Sequence, residues 1–271
     1  MFLEILSKLT SESLLSLYPV FVKHIGLPLA LQTWSRCFSY AIISAIFIDY
    51  SYVFNALKTS SGILLSLITI VHIYVSYRGF ELLESGVAYS IFYLYPILIL
   101  LMSNKQLNPI ILLAIPGVYL LVSNEQFNLV NIIDSPEGFI MMLLAAITEA
   151  IMYYLVRDIK TTNHWNHIFI SYFIGAIILS LYFFKNISTT ILKGPLSISL
   201  GINTIIGLFG YLLRFYSISK LETTLYAALS YFGILMATVY GILINGEQIQ
   251  LKKIIGSLLI MVSSYLVTIS Y

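Results

Sequence analysis

Charge is what this sequence has least of: 10% of its 271 residues are Asp, Glu, Lys or Arg, against about 25% in a soluble domain. So few charges cannot cover a water-facing surface, which excludes an ordinary soluble protein. Cysteine is scarcer still, and the single Cys37 forbids both an intrachain disulfide and a cysteine metal cluster. No Lys/Arg run or basic stripe occurs and the net charge is +2, so nucleic acid is not an expected partner. Catalytic signatures are missing too. There is no HExxH, GxSxG, glycine-rich phosphate loop or paired CxxC, so the expectation is of no catalytic residue, no metal, no cofactor and no direct ATP coupling. The amino-terminal stretch lacks the unbroken apolar core of a cleaved signal peptide, because Glu4, Lys8 and Glu12 interrupt it. It is expected to belong to the mature chain.

What the sequence has is hydrophobicity: 59% of its residues are apolar and the mean hydropathy is +0.93. The expected solvent is therefore a lipid bilayer, which a helix crosses in about 17–25 residues. Uncharged runs of that order cover 59–77, 85–104, 106–124, 194–213, 223–246 and 254–271. Four further spans contain or adjoin a charge: 5–22, 29–48 around Arg36, 138–156 around Glu149, and 168–184. The expectation is an all-α integral membrane protein of ten transmembrane helices. The longest polar stretch, 124–137, is the expected linker between a five-helix unit at 1–123 and a second at 138–271. Five spans before it would make the second unit enter the membrane upside down, giving two inverted repeats as in many secondary transporters. Displacing the chain by 138 residues sets Leu83, Glu84 and Ser85 against Leu221, Glu222 and Thr223. A displacement of 137 sets Ser11 and Glu12 against Thr148 and Glu149. Apart from Arg36 and Arg214 within spans, the Lys and Arg residues of the loops and tails, Lys8 among them, fall six to each side of such a topology and do not orient it. The sequon at Asn186 and Ser188 would be exterior with both termini cytosolic.

Ionisable groups at membrane depth cost about 2.5–3.5 kcal/mol each on insertion scales and turn toward the bundle interior or a wet cavity. Glu12, Arg36, His72, Glu149 and Arg214 are of this kind. Asn203, Gly207, Gly210, Arg214 and Ser217 recur at spacings of four, three, four and three, which sets them on one helical face. Arg214 and Asn203 are therefore expected at a substrate site. Ser66, Thr69, His72 and Ser76 form a second polar face, where His72 is a proton relay, a ligand donor or a hydrogen-bonded structural histidine. Glu149 reads as a substrate or proton site, since a carboxylate in low dielectric can load a proton near neutral pH, or as the fixed partner of an arginine. Glu12 shares the proton reading, with an interfacial position as its alternative. Tyr89 and Tyr93, with Phe92 and Pro96, and Tyr226 and Ser230, with Gly233, supply aromatic and small faces to a pocket or to plain packing. Arg36 either binds an anionic group, snorkels to the headgroups or pairs with a buried Glu. The pair His164 and His167 is expected at the interface, without metal.

The second half also carries an ordered pattern: the glycine-bearing helix with Gly207 and Gly210, the turn from Tyr216 to Leu221, the small-residue helix with Ser230 and Tyr231, then Gly246 and Glu247, and a last helix opening on Gly256. This resembles the closing region of EamA-type carriers in the drug/metabolite transporter superfamily. The first half is similar to the same unit through Lys23, Arg36, Leu82 and Leu83 before Ser85 and Gly86, Tyr95 and Pro96, and Gly117 to Leu120. It departs from the family at Asn104, Lys105 and Gln106, and at Ser11 to Ser13; the second half departs at Gly233 and Ile234. The resemblance implies a secondary transporter of a small metabolite or drug-like solute working by alternating access, with both termini cytosolic. A membrane enzyme using Glu149, His72 and Arg214, and a noncatalytic membrane assembly factor, are the alternatives. The expected partners are a small-molecule substrate and the bilayer.

Overall fold

The apolar runs fold as helices, and no strand occurs among the described residues. The computed structural model describes residues 2–103, 114–122, 135–183, 195–248 and 250–269. In the first half these are α1 (Phe2–Leu15), α2 (Tyr18–His24), α3 (Leu29–Ala45), α4 (Tyr50–Ala56), α5 (Ser60–Leu82), α6 (Ser85–Phe92), α7 (Tyr95–Met102) and α8 (Ala114–Val122). The second half holds α9 (Pro136–Asp158), α10 (His164–Phe183), α11 (Pro195–Lys220), α12 (Thr223–Ser230), α13 (Phe232–Asn245) and α14 (Leu251–Ile269). Side-chain caps start several of them: Asp49 accepts from Tyr52 N at 3.1 Å, Thr59 from Gly62 N at 3.1 Å and Ser135 from Gly138 N at 3.2 Å. Gly246, left-handed at φ 66°, ends α13. The expected linker lies mostly outside the described residues, as do the sequon and the Asn104–Gln106 departure.

On the long helices α5 and α11 polar side chains face inward and apolar ones outward. On α5, Ile63, Leu67, Val71 and Tyr74 are exposed while Ser66, Thr69, His72 and Ser76 are buried. On α11, Ile202, Ile205 and Phe209 are exposed while Asn203, Arg214 and Ser217 are buried. That pattern suits a chain whose outer face meets lipid and whose polar groups find partners only in the interior.

Among the described residues, six helical stretches are long and apolar enough to cross a membrane: Ser60–Leu82, Ser85–Met102, Pro136–Asp158, His164–Phe183, Leu200–Lys220 and Thr223–Asn245. The first expected span does not meet that measure, since it carries Lys8 and Glu12 and is split into α1 and α2. Expected spans four and nine are also each split in two, at Tyr93–Leu94 and at Tyr231. Pro19 and Pro96 stand at the starts of α2 and α7. Proline has no N–H to give the carbonyl one turn back. Beside Pro19 that carbonyl, Leu15 O, takes the Tyr89 hydroxyl instead.

In the packing, α1 lies on α11, α5 on α9, α3 on α10 and α8 on α14; α6 meets α13 and α7 meets α12. Glycines allow the closest approaches. A Cβ on Gly207 would stand 1.4 Å from the Tyr18 hydroxyl oxygen and 2.1 Å from that of Tyr40, and one on Gly233 would stand 1.9 Å from Tyr93 Oη.

Candidate functional site: a buried charge network

Lys8 and Glu12 are one turn apart on α1, so their side chains meet. Both are fully buried, and Lys8 Nζ pairs with Glu12 Oε1. Lys8 also stands over the Tyr226 ring, 3.6 Å from its centroid, and 3.4 Å from Tyr95 Oη. Glu12 Oε2 accepts from the Tyr93 hydroxyl. From α11, Arg214 Nη2 donates to both Glu12 oxygens at 3.1 Å, and Nη1 donates to Glu149 Oε1 of α9 at 2.7 Å. The two lone lysine and arginine charges balance the two carboxylates.

His72 of α5 completes the group. Its Nδ1 lies 3.0 Å from Thr148 Oγ1, whose own proton is directed to the carbonyls of Leu144 and Ala145. The ring therefore donates from Nδ1, leaving Nε2 to accept from the Tyr211 hydroxyl at 3.3 Å. Glu149 Oε2, which has no hydrogen-bond partner, stands 3.4 Å from the same Nε2. A proton on Nε2 is what would turn that approach into a bonded pair.

Tyr93, Tyr226, Ser230 and Tyr89 lie around this network. Ser230 Oγ accepts from the Tyr95 hydroxyl at 2.9 Å and donates to Tyr226 O. The Tyr89 and Tyr93 ring centroids are 5.2 Å apart. Asn203 sits farther along α11, donating to Tyr77 Oη at 3.3 Å, and its Oδ1 is unpartnered.

Arg36 of α3 occupies a second setting. Its guanidinium lies 4.7 Å from the Tyr18 ring centroid and 4.6 Å from that of Tyr211, with Tyr40, Tyr77 and Tyr172 at 5.5–5.6 Å. Such contacts are worth about 0.5–2 kcal/mol each. It neither snorkels nor pairs with a Glu: it is buried and, among the described residues, makes no ion pair.

Two positions differ from the sequence expectation. Lys8, counted in the sequence with the loop and tail cations, is in the core, and its four-residue spacing from Glu12 was the available signal. His167, expected at the interface, is buried with Nε2 2.8 Å from Ile159 O, the carbonyl at the end of α9. Among the described residues no cluster of three His, Cys, Asp or Glu could hold a metal.

At one end of the molecule, Glu247 accepts from Ser85 N and Oγ and from Lys23 at 3.2 Å, while Lys253 pairs with Glu84 at 2.5 Å. His24 meets Asn245 there, and Arg78 meets Glu137 at 2.7 Å. At the other end Ser61 meets Asp158, Asp49 N meets Asn166, Tyr52 meets Lys160 O, and Arg157 meets Thr223. Partial burial pushes the Glu247 carboxyl up, but the Ser85 hydrogen bonds and Lys23 outweigh it and hold the group below its ordinary range.

These features define a multi-pass integral membrane protein with a closed polar interior. Residues 136–269 match the model of the EamA-like transporter family, a likeness consistent with an EamA-type carrier of the drug/metabolite transporter superfamily. A solved crystal structure of a protein shares the fold with a TM-score of 0.63 at 15% sequence identity, over 98% of this chain and 96% of that one. No curated protein sequence matches the chain.

Proposed function

We propose that the protein is a secondary transporter that moves a small metabolite or drug-like solute by alternating access, through ten crossings arranged as two inverted five-helix halves. The observation that carries this reading is the convergence of Glu12 and Glu149 on one guanidinium. These are the two carboxylates that a 137-residue displacement superposes, and Arg214 bonds both. An ion network joining the two halves at the middle of the bundle is where inverted-repeat carriers place their substrate and coupling sites.

The packing supports it. Exchanging the halves turns the α5–α9 contact into α11–α1 and the α6–α13 contact into α12–α7, and maps α3–α10 and α8–α14 onto themselves. The end contacts support ten crossings: Lys23, Arg78, Glu84, Glu137 and Glu247 gather at one end, and Asp49, Asp158, Asn166 and Thr223 at the other. That is the alternation that ten passes require. The helix breaks in spans four and nine, beside Tyr93 and Ser230, give each half a flexing point against this network. Arg214, Glu149, His72, Asn203, Tyr89, Tyr93, Tyr226 and Ser230 form the proposed substrate path, with Glu149 and Glu12 as the proposed proton carriers.

Purified protein in liposomes, challenged with labelled amino acids, amines, nucleotides and sugar phosphates, tests it. Flux of a chemically unchanged solute that is lost in Arg214→Ala is expected. Product formation that needs no sealed compartment would overturn the reading in favour of an enzyme.

A further inference from the structure

The buried charges do not sum to zero. By formal charge the described core holds three basic side chains, Lys8, Arg36 and Arg214, against two carboxylates, Glu12 and Glu149, an excess of one cation. A guanidinium stays protonated even when buried, so the excess cannot be relieved by titration. It is located at Arg36, because Arg214 has two carboxylates and Lys8 has one.

The surroundings of Arg36 are rich in donors. Nη2 meets Tyr172 Oη at 3.0 Å and Nη1 meets Tyr77 Oη at 3.4 Å, but Nε, buried in a residue only 4% exposed, has no partner. The hydroxyls of Tyr18 and Tyr40 meet each other at 2.7 Å, next to the bare backbone of Gly207. Asn203 directs its amide nitrogen to Tyr77. Phenol hydroxyls can turn their protons, and each of these four can donate. What the cluster lacks is an anionic acceptor. The Nε and Nη edge of a guanidinium presents two parallel N–H groups at the spacing of two oxygens on one carbon or phosphorus.

We propose that Arg36 and the hydroxyls of Tyr18, Tyr40, Tyr77 and Tyr172 form a binding subsite for the oxyanion of an organic solute, a carboxylate or a phosphate, whose flat or apolar body lies among the tyrosine rings. Used for transport, the subsite rests on the carrier reading above and narrows its substrate class to organic anions. The rings now closed over the guanidinium must part to admit the anion. Loading and opening of the cage are therefore one event, and the anion supplies the charge that the rings otherwise offset.

The test uses the purified full-length chain and three anionic probes, benzoate, phenyl phosphate and inorganic phosphate, with benzylamine as a cationic body of the same shape. Calorimetric titration should show binding of benzoate or phenyl phosphate and none of benzylamine. A response to inorganic phosphate alone would overturn the requirement for an organic body. Arg36→Lys keeps the charge but removes the fork, and should weaken anion binding about tenfold or more. Tyr172→Phe keeps the ring on the cation and removes only the hydroxyl, so a folded variant with weakened anion binding is expected even where Arg36→Lys fails to fold. No response of the wild type to any anion, or equal anion binding in the wild type and Tyr172→Phe, overturns the subsite. Anion binding without flux in liposomes would leave the subsite and sink the carrier reading. Flux of a neutral or cationic solute that is unchanged in Arg36→Lys would do the reverse.

Discussion

Glu149 gives one oxygen to Arg214 and leaves the other facing His72, whereas Glu12 is engaged at both oxygens by Arg214, Lys8 and Tyr93. The two carboxylates should therefore respond differently to loss of charge. Breaking a buried pair by removing one partner costs about 3–5 kcal/mol. Glu12→Gln strands Lys8, leaves Arg214 only its 2.7 Å bond to Glu149, and should lower thermal stability by that order. Glu149→Gln leaves Arg214 its two contacts at 3.1 Å with Glu12 and should cost clearly less. Thermal unfolding of both variants in detergent checks the order, and equal losses would show that the network does not share charge as its geometry indicates. In liposomes, Glu149→Gln is expected to keep solute exchange and lose accumulation driven by a pH gradient, and undiminished accumulation would remove Glu149 as the proton carrier. The face holding Asn203, Gly207, Gly210, Arg214 and Ser217 was legible because neither an arginine nor so many small and polar groups suit lipid; all five are buried. The cage around Arg36 was not. Its tyrosines come from α2, α3, α5, α10 and α11, and periodicity reports which face of one helix a residue takes without saying which other helix it meets.

At the scale of elements, most spans were legible as uncharged runs, and their caps and breaks account for the differences. The first span was blurred by Lys8 and Glu12, which make it polar on average although each finds a partner inside the fold. The breaks in spans one and four could be read from Pro19 and Pro96; that at Tyr231 has no proline and left no sequence sign. Gly207 lets α11 approach the Tyr18 and Tyr40 hydroxyls. Gly207→Ala should cost about 1–3 kcal/mol through overpacking, while Gly201→Ala, with nothing within 4 Å of the added carbon, should be neutral or stabilising by up to about 1 kcal/mol. Denaturation of the two variants side by side measures the contrast, and a tolerated Gly207→Ala would contradict the close packing. Glu247 ties the start of α6 to the end of α13. Because its carboxyl is held below its ordinary range, its contribution is complete above the unfolded-state value and fades as pH falls through the lower folded one. The group is about half buried, so the effect is modest. Stability measured from neutral to acid pH should fall less steeply in Glu247→Gln than in the wild type.

At the scale of the molecule, the sequence suggested two halves only through a few short matches, and the proposal of inverted repeats rests on those matches together with the packing of α1 on α11 and α5 on α9. The direction of insertion stayed illegible because lysines and arginines divide evenly between the two sides. The ten crossings proposed would place both termini together, so reporters fused to either end should give like signals, and unlike signals would mean an odd number of passes. The central claim is that the buried network is reached from both sides in turn. Ser230 lies within it, and Cys37 is the sole cysteine, so Ser230→Cys in a Cys37→Ala background provides one reactive thiol at that depth. Labelling this thiol with a membrane-impermeant maleimide, applied separately to right-side-out and inside-out vesicles, tests the claim without knowledge of the substrate. Modification from both sides is expected; a thiol modified from one side only, or from neither, would contradict alternating access to the network.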